Sequence, residues 1–187
     1  MNEEKSESVV SNARSAAYPQ VDALEGDGQT VVFVAREASL LGLIALADEV
    51  RPEAAHTVDR LRNQGFEVAL LTGDNANATA AVARTTGIDL LVAQVRPEEK
   101  ASRVQAMQSE RGSVIMVGDG INDAPALAQA AVGIAMGSGT DVAIENADVV
   151  LLHESLTRVA DAVDLSRATM RVIRQNLGWA FGYNIVL

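Results

Sequence analysis

The sequence contains no cysteine. Disulfide bonds, zinc ribbons and thiolate metal sites are therefore excluded within this chain. Aromatic residues make up only 3% of its 187 residues, so Ala, Val and Leu must supply most of the core packing. Basic residues are outnumbered, and the net charge of −10 at pH 7 argues against a nucleic-acid-binding surface. The N-terminal 17 residues lack the apolar run of a signal peptide.

Hydrophobic residues make up 48% of the sequence, enough for one ordinary core and part of a second. Short apolar runs alternate with helical patterns, which predicts an α/β fold with a parallel, twisted sheet and right-handed crossovers. The runs predicted as strands of that sheet cover 67–71, 90–93, 113–117, 132–136 and 149–152. An earlier hairpin-like pair of strands is predicted over 29–47. Residues 1–17, rich in Ser, Glu and Asn, are expected to form a disordered leader.

The helices are predicted from apolar spacing and from the residues at their ends. Pro52 favours a helix beginning at 53, and Gly65 favours its end at 64. Apolar residues recur at helical spacing from Ser155 onward, which predicts one long C-terminal helix. The remaining predicted helices cover 76–86, 97–110 and 141–146.

The most informative segment is GDGINDAPAL, residues 118–127, which follows the apolar run 113–117. That run predicts a strand buried on both faces, with Asp123 as the N-cap of the next helix and Pro125 in its first turn. Asp119 and Asp123 would then lie at the carboxyl end of a parallel strand, where α/β proteins bind ligands. Two carboxylates there suit Mg²⁺. The simpler alternative is that Gly-Asp-Gly and Asn-Asp only shape two turns.

This segment resembles the Mg²⁺ motif of P-type cation-transporting ATPases, which are members of the haloacid dehalogenase superfamily. The resemblance continues through VGIAMGSGTDVA, residues 132–143, and ADVVLL, residues 147–152. It implies a Rossmann-like parallel sheet of the haloacid dehalogenase type. It also implies that Asp119 and Asp123 bind Mg²⁺ and that Gly118 and Asn122 contribute to cofactor binding.

The same resemblance implies a division of the chain. A short β remnant of the nucleotide-binding domain would cover 18–47, and the phosphorylation domain would cover 48–166. Residues 167–187 would be a C-terminal helix leading into a truncated transmembrane segment. ATP would bind mainly through parts that this chain lacks.

Two further motifs gain meaning from their order along the chain. Thr72, Gly73 and Asp74 follow a predicted strand, and alone they would be read as a Thr or Asx turn. Their resemblance to the second superfamily motif implies that Thr72 binds a phosphoryl oxygen and that all three are catalytic. Lys100, which alone would be read as a surface charge, resembles the third motif. There its ammonium group offsets charge between the nucleophile and the phosphate.

The family's nucleophile segment, Asp-Lys-Thr-Gly-Thr, does not occur in the sequence. In the family its Asp accepts the γ-phosphoryl group of ATP. Asp48 follows an apolar run but has no Thr-Gly after it, and Asp27 has no buried strand before it, so neither is a candidate nucleophile. The chain alone is therefore expected to be inactive. The central strand that would carry the nucleophile is absent too, which predicts a gap between strands 68–71 and 114–117.

The C-terminal segment suggests the transported ion. Trp179 to Asn184 resembles the copper-transporting branch, which implies that Tyr183 and Asn184 help to bind Cu⁺. A phenol and an amide are poor ligands for a soft ion, so cysteines from elsewhere would have to complete the site. Arg171 and Arg174 resemble a cytoplasmic membrane edge. An amphipathic terminal helix packed on the domain is the alternative, because the apolar run is only about half of the roughly 20 residues that span a bilayer.

The favoured function is the C-terminal part of a heavy-metal P-type ATPase, with copper as the favoured cation. Its partner would be the missing N-terminal half of the pump, which carries the nucleophile loop, the actuator domain and membrane helices; self-association is the other possibility. It would contact the membrane through its C-terminus, at the cytoplasmic face of the plasma membrane. The alternatives are an inactive regulatory remnant that binds Mg²⁺ or phosphate, and a soluble phosphatase of the same superfamily, which the missing nucleophile disfavours.

Overall fold

A computed structural model of the chain describes residues 19–24, 26, 28–36, 39–46, 49–119, 121–137 and 141–186. The predicted leader, residues 1–17, lies outside the described residues. Asp27 and Asp48, the two acids rejected as nucleophiles, also lie outside them.

The chain divides into two compact units, the first comprising 1–58 and 67–96 and the second comprising 59–66 and 97–187. The described strands are β1 (Thr30–Arg36), β2 (Ser39–Leu46), β3 (Ala69–Leu71), β4 (Leu90–Val92), β5 (Ile115–Gly118), β6 (Val132–Met136) and β7 (Val149–Leu151). The helices are α1 (Ala54–Asn63), α2 (Ala76–Thr86), α3 (Pro97–Arg111), α4 (Ala124–Gln129), α5 (Asp141–Glu145) and α6 (Thr157–Val186). A 3-10 turn, Ile121–Asp123, precedes α4.

The first unit contains the predicted hairpin. β1 and β2 pair antiparallel, from Thr30 opposite Leu46 to Arg36 opposite Ser39. The prediction of two paired strands within 29–47 is confirmed, and their assignment to a nucleotide-binding domain stays a prediction. A helical segment over 19–24 precedes them, and no pattern in the sequence had indicated it.

The first unit also contains a parallel strand pair connected by a capped helix. β3 and β4 pair in parallel, with Ala69 opposite Leu90 and Leu71 opposite Val92. Between them, α2 begins after Asn75, whose side chain accepts a hydrogen bond from the Ala78 N–H at 2.9 Å. It ends at Gly87, whose φ of 75° is the left-handed conformation that favours glycine at a helix end. The helix predicted over 76–86 is confirmed because both of its ends carry strong local signals.

The second unit is built on a three-stranded parallel sheet with the order β5-β6-β7. Ile134 and Met136 of β6 and Val159 of α6 are buried at its core. The half-buried apolar side chains packed against them are Leu61, Ile115, Val117, Val132, Val149, Leu151 and Leu156. Asp148 links β6 to β7, because its backbone N–H donates to Gly133 O at 2.9 Å and its carboxylate accepts from the Gly133 N–H at 2.8 Å.

The prediction that the strand before GDG is buried on both faces is wrong, because every residue of β5 is only half-buried. The physical reason is its position in the sheet. Within the described residues β5 pairs only with β6, and β3 pairs only with β4. The parallel strands are thus confirmed, but they form separate sheets of two and three strands rather than one ladder.

The predicted long C-terminal helix is confirmed as α6, which has 30 residues. Its first turns are packed, with Val159 and Ala160 buried. The alternative of an amphipathic terminal helix packed on the domain is wrong, because every side chain described from Asp164 to Ile185 is exposed. No helix in the described part of the chain is both long and apolar enough to cross a membrane.

We expect Asn75→Ala to destabilise the first unit by about 1 kcal/mol, because it removes the side-chain acceptor that caps α2. Urea unfolding followed by circular dichroism measures the change. The matched control is Asn77→Ala, an exposed position inside the same helix, where alanine should be neutral or slightly stabilising. Equal losses in both variants would contradict the capping role.

Candidate functional site

The predicted site residues fall into two groups, one in each unit. Thr72, Gly73 and Asp74 follow β3 in the first unit. Lys100, Gly118, Asp119, Asn122 and Asp123 belong to the second unit.

The Thr72 loop is closed on itself. The Thr72 hydroxyl donates to Asp74 Oδ2 at 2.6 Å, and the Asp74 N–H donates back to Thr72 Oγ1 at 3.1 Å. The single hydroxyl proton of Thr72 is therefore held by a carboxylate. For this hydroxyl to donate to a phosphoryl oxygen, Asp74 must first release it. Sequence motifs identified the loop but not this internal bond.

The loop is held in place by the segment after β4. The Thr72 N–H donates to Val92 O at 3.0 Å, and the Val95 N–H donates to Thr72 O at 3.0 Å, which extends the β3–β4 ladder by one residue. The Gln94 N–H donates to Asp74 O at 2.9 Å. Gln94 adopts a φ of +55°, an uncommon conformation for a residue with a side chain. Gln94 thus helps to position the loop.

In the second unit, Lys100 and Asp123 form an ion pair. Lys100 Nζ lies 2.7 Å from Asp123 Oδ1, and their side chains are only 16% and 14% exposed. Such a shielded pair is sensitive to the loss of either partner, because the remaining charge would be left without compensation. Lys100 is therefore not a solvated surface charge. The 23-residue separation along the chain gave no local sign of the pairing.

The predicted N-cap position of Asp123 is confirmed, but its side chain does not cap α4. Asp123 does precede α4, and Pro125 lies in the first turn as predicted, but the Asp123 side chain makes no capping hydrogen bond. Its φ of −94° and ψ of −15° are helical, because the 3-10 turn runs directly into α4. The carboxylate is directed to Lys100 instead.

Gly118 makes room for the Asp123 side chain. A Cβ atom placed on Gly118 would lie 2.8 Å from Asp123 Cβ and 3.0 Å from Asp123 Oδ2, closer than van der Waals contact allows. A glycine at the end of β5 is therefore a packing requirement of the buried carboxylate. This observation explains Gly118 without a direct contact to a cofactor.

Asp119 and Asn122 are the accessible polar residues of the segment, and both are exposed. Mg²⁺ is commonly held by one or two carboxylates together with phosphate oxygens and water. The described residues fit that kind of shared site, with Asp119 as the open ligand and Asp123 as a carboxylate already compensated by Lys100. They do not form an all-protein cage, since the described part of the chain contains no group of three or more metal-ligating side chains.

The two predicted Cu⁺ ligands lie near the end of α6. The side chain of Tyr183 is 69% exposed, and that of Asn184 lies outside the described residues. Trp179 and Phe181 are likewise exposed. The structure thus places Tyr183 on an open helix surface, and its role in ion binding stays a prediction.

Residues 5–131 match the family model of haloacid dehalogenase-like hydrolases, and residues 100–163 match a second model with the same description. The chain belongs to the haloacid dehalogenase-like hydrolase family.

Within that family its relatives are heavy-metal P-type ATPases. It is 51% identical over 160 residues to the probable copper-exporting P-type ATPase V of Mycobacterium tuberculosis, covering 86% of this chain and 21% of that protein. It is 50% identical over 161 residues to a copper-exporting P-type ATPase of Staphylococcus aureus, covering 86% and 20%. The chain thus spans about a fifth of the length of these relatives.

Solved structures agree with this relationship. A zinc-transporting PIB-type ATPase in the E2.Pi state matches with a TM-score of 0.73 and 46% identity, covering 87% of this chain and 26% of that one. The catalytic domain of the CPx-ATPase CopB-B matches with a TM-score of 0.57 and 27% identity, covering 67% and 49%. The predicted resemblance to P-type ATPases and the predicted fold class are both confirmed.

We expect Lys100→Met to destabilise the second unit by about 1–3 kcal/mol, because it leaves the largely shielded Asp123 carboxylate without its counter-charge. Adding Asp123→Asn should recover part of the loss, since the uncompensated charge is then removed. Thermal unfolding of both variants measures the coupling. Arg103→Met, an exposed position on the same helix, is the control and should change stability little. Additive effects of the two substitutions would contradict the pairing.

Proposed function

We propose that this chain forms part of a copper-translocating P-type ATPase and supplies the residues that orient Mg²⁺ and phosphate in its aspartyl-phosphate site. The observation that carries the proposal is the shielded Lys100–Asp123 pair beside the exposed Asp119. It is supported by about 50% identity to copper-exporting P-type ATPases over 86% of the chain.

The second unit would supply the charged groups that stabilise the transferring phosphoryl group. Lys100 holds Asp123 in one orientation through a 2.7 Å contact, and Gly118 leaves the space that this orientation needs. Asp119 would hold Mg²⁺, with Asp123 as the second carboxylate. When bound, Mg²⁺ neutralises negative charge that develops on a transferring phosphoryl group. Preorganised charges of this kind are worth more in a shielded site than in water.

The first unit would contribute a hydrogen-bond donor. The Thr72 hydroxyl would bind a phosphoryl oxygen, after giving up the hydrogen bond to Asp74. The exchange replaces one anionic acceptor with another. The backbone bonds from Val95 and Gln94 hold the loop on the strand end while the hydroxyl changes partner.

The nucleophile would come from a segment that the sequence does not contain. No Asp-Lys-Thr-Gly-Thr occurs among the 187 residues. Within the described residues β3 and β5 each pair with one strand only, so each has an edge suited to an additional strand, because an open strand edge presents free N–H and C=O groups. We infer that the N-terminal part of the pump provides that strand and its Asp, and that it also provides the main contacts to ATP.

Copper is the proposed cargo because the curated relatives at 50–51% identity are described as copper-exporting. The solved zinc-transporting relative is 46% identical, so identity alone separates the two ions only weakly. Tyr183 and Asn184 would help to bind Cu⁺ together with cysteines from elsewhere in the pump. The chain would then lie at the cytoplasmic face of the plasma membrane, with α6 directed to the membrane.

We expect the chain alone to release no phosphate from ATP or from para-nitrophenyl phosphate, because the sequence offers no Asp placed as a nucleophile. A colorimetric phosphate assay with Mg²⁺ at about 1–10 mM, ample for a weak site, measures this. Asp119→Ala is the control for contaminating activity. Turnover that disappears in that variant would contradict the proposal and favour a soluble phosphatase.

We expect co-expression with a chain that carries Asp-Lys-Thr-Gly-Thr to restore a phosphoenzyme formed from ATP and sensitive to hydroxylamine. Thr72→Ala and Lys100→Met should lower its level by about 10-fold or more, since each removes a positioning contact. Asp119→Ala should nearly abolish it through loss of Mg²⁺. Acid-quenched labelling with radioactive ATP measures the phosphoenzyme.

The matched control for these variants is Asp59→Ala, an exposed acid outside both groups, which should leave the phosphoenzyme unchanged. If the co-expressed chains never copurify and the chain alone is a folded monomer, the inactive regulatory remnant becomes the better account.

A further inference from the structure

The end of α1 and the beginning of α6 are joined by a group of contacts that the proposed chemistry does not use. Arg60 Nη1 lies 2.6 Å from Asp161 Oδ1, and Arg60 Nη2 lies 2.6 Å from Asp164 Oδ2. One planar guanidinium thus binds two carboxylates a turn apart on α6. This geometry suits arginine and not lysine, whose ammonium is a single point of charge. Both partners are about 100 residues distant in sequence.

The charges of this group are mutually stabilised. The hydrogen bonds that Arg60 donates to Asp164 and Asp161 raise the pKa of Arg60 above its usual value. The hydrogen bond from Arg60 lowers the pKa of Asp161. Arg158, on the same helix, adds a longer contact of 3.3 Å to Asp161.

A second set of contacts also joins the two helices, and here the donor lies on α6 and the acceptor at the end of α1. The Phe66 N–H donates to Leu61 O, and the Gly65 N–H donates to Arg62 O, the pair of bonds that defines a Schellman motif. Gly65 takes a φ of +88°, which this motif requires. The motif leaves the Gln64 carbonyl free of a helical partner, and Arg167 Nη2 donates to it at 2.7 Å. A cation at a helix C-terminus is also favoured by the helix dipole.

Two more contacts join the end of α1 to α6. The Arg167 guanidinium lies 5.3 Å from the centre of the Phe66 ring, within the range of a cation–π interaction. Gln64 Nε2 donates to Ala160 O at 3.2 Å. Gln64 Oε1 is buried with no hydrogen-bond partner among the described residues, so this side chain is held in place at an energetic cost. The contacts of Gln64 and Arg167 thus add to those of Arg60 along about two turns of α6, from Ala160 to Arg167.

We propose that Arg60, Gln64 and Arg167 form a clamp that makes the exposed part of α6 move with the second unit as one rigid body. From Asp164 onward the described side chains of α6 are exposed, Arg167 among them, so burial of apolar side chains does not hold this part of the helix. The clamp's role in transport rests on the proposed function, in which α6 leads to the membrane. Arg60, Gln64 and Arg167 are positioning residues under this proposal, because none of them belongs to the phosphate-orienting groups.

Hydrogen exchange measured by mass spectrometry on the whole chain tests the clamp without any ATP chemistry. In Arg60→Leu combined with Arg167→Gln, exchange in residues 157–170 should be faster by about 5-fold or more, while β6 keeps its protection. Arg171→Gln is the matched control, because it removes an exposed arginine four residues further along α6. If the double variant loses protection throughout the unit, Asp164→Asn, which removes only one contact, replaces it. Unchanged exchange in residues 157–170 in these variants would overturn the clamp.

A second measurement separates the coupling of phosphorylation to transport from the stability of the second unit. In the co-expressed pump, Arg60→Leu should leave the phosphoenzyme level within about 2-fold of the parent while copper transport into vesicles falls by about 10-fold. Arg60→Lys should restore transport only in part. Parallel losses of phosphoenzyme and transport would overturn the coupling role. Absence of a phosphoenzyme in the parent pump would instead count against the proposed function, and the exchange experiment would still decide the clamp.

Discussion

The burial of the Asp123 carboxylate is the constraint on which the candidate site depends. A carboxylate that is only 14% exposed needs a counter-charge, and Lys100 supplies it at 2.7 Å. The side chain also needs space at the end of β5, where any Cβ atom would collide with it. Three features of the sequence, the Lys in α3, the Gly ending β5 and the Asp before α4, are thus parts of one arrangement.

The two carboxylates of the segment 118–127 therefore have different surroundings. Asp123 is held, compensated and shielded, whereas Asp119 is exposed. A site of this kind can share a cation with a phosphate but does not provide a complete cage by itself. In the Thr72 loop, Asp74 accepts the hydrogen bond from the Thr72 hydroxyl that a phosphoryl oxygen would need. In both groups, the described residues would bind their ligand only together with further groups or after a change of hydrogen-bond partner.

The sheets show a comparable incompleteness. Within the part of the chain that the structure describes, β5 is half-buried and pairs only with β6, and β3 pairs only with β4. The contacts between α1 and α6 are more fully paired, with two carboxylates on one arginine and the last carbonyl of a Schellman motif bound by another arginine.

The sequence by itself determined the class of fold, the strand and helix order, and the identity of the motifs. Signals that act over a few residues, such as Asn75 and Gly87 at the ends of α2, placed that helix correctly because capping is a local interaction. Only the tertiary structure decided which side chains meet. Two of these contacts, Lys100 with Asp123 and Arg60 with α6, join residues that are distant in the chain. Because Asp123 binds Lys100, its side chain does not cap α4. The half-exposure of β5 depends on its neighbouring strands. Such contacts arise from the packing of whole elements, and no pattern within one segment encodes the partner that another segment brings to it.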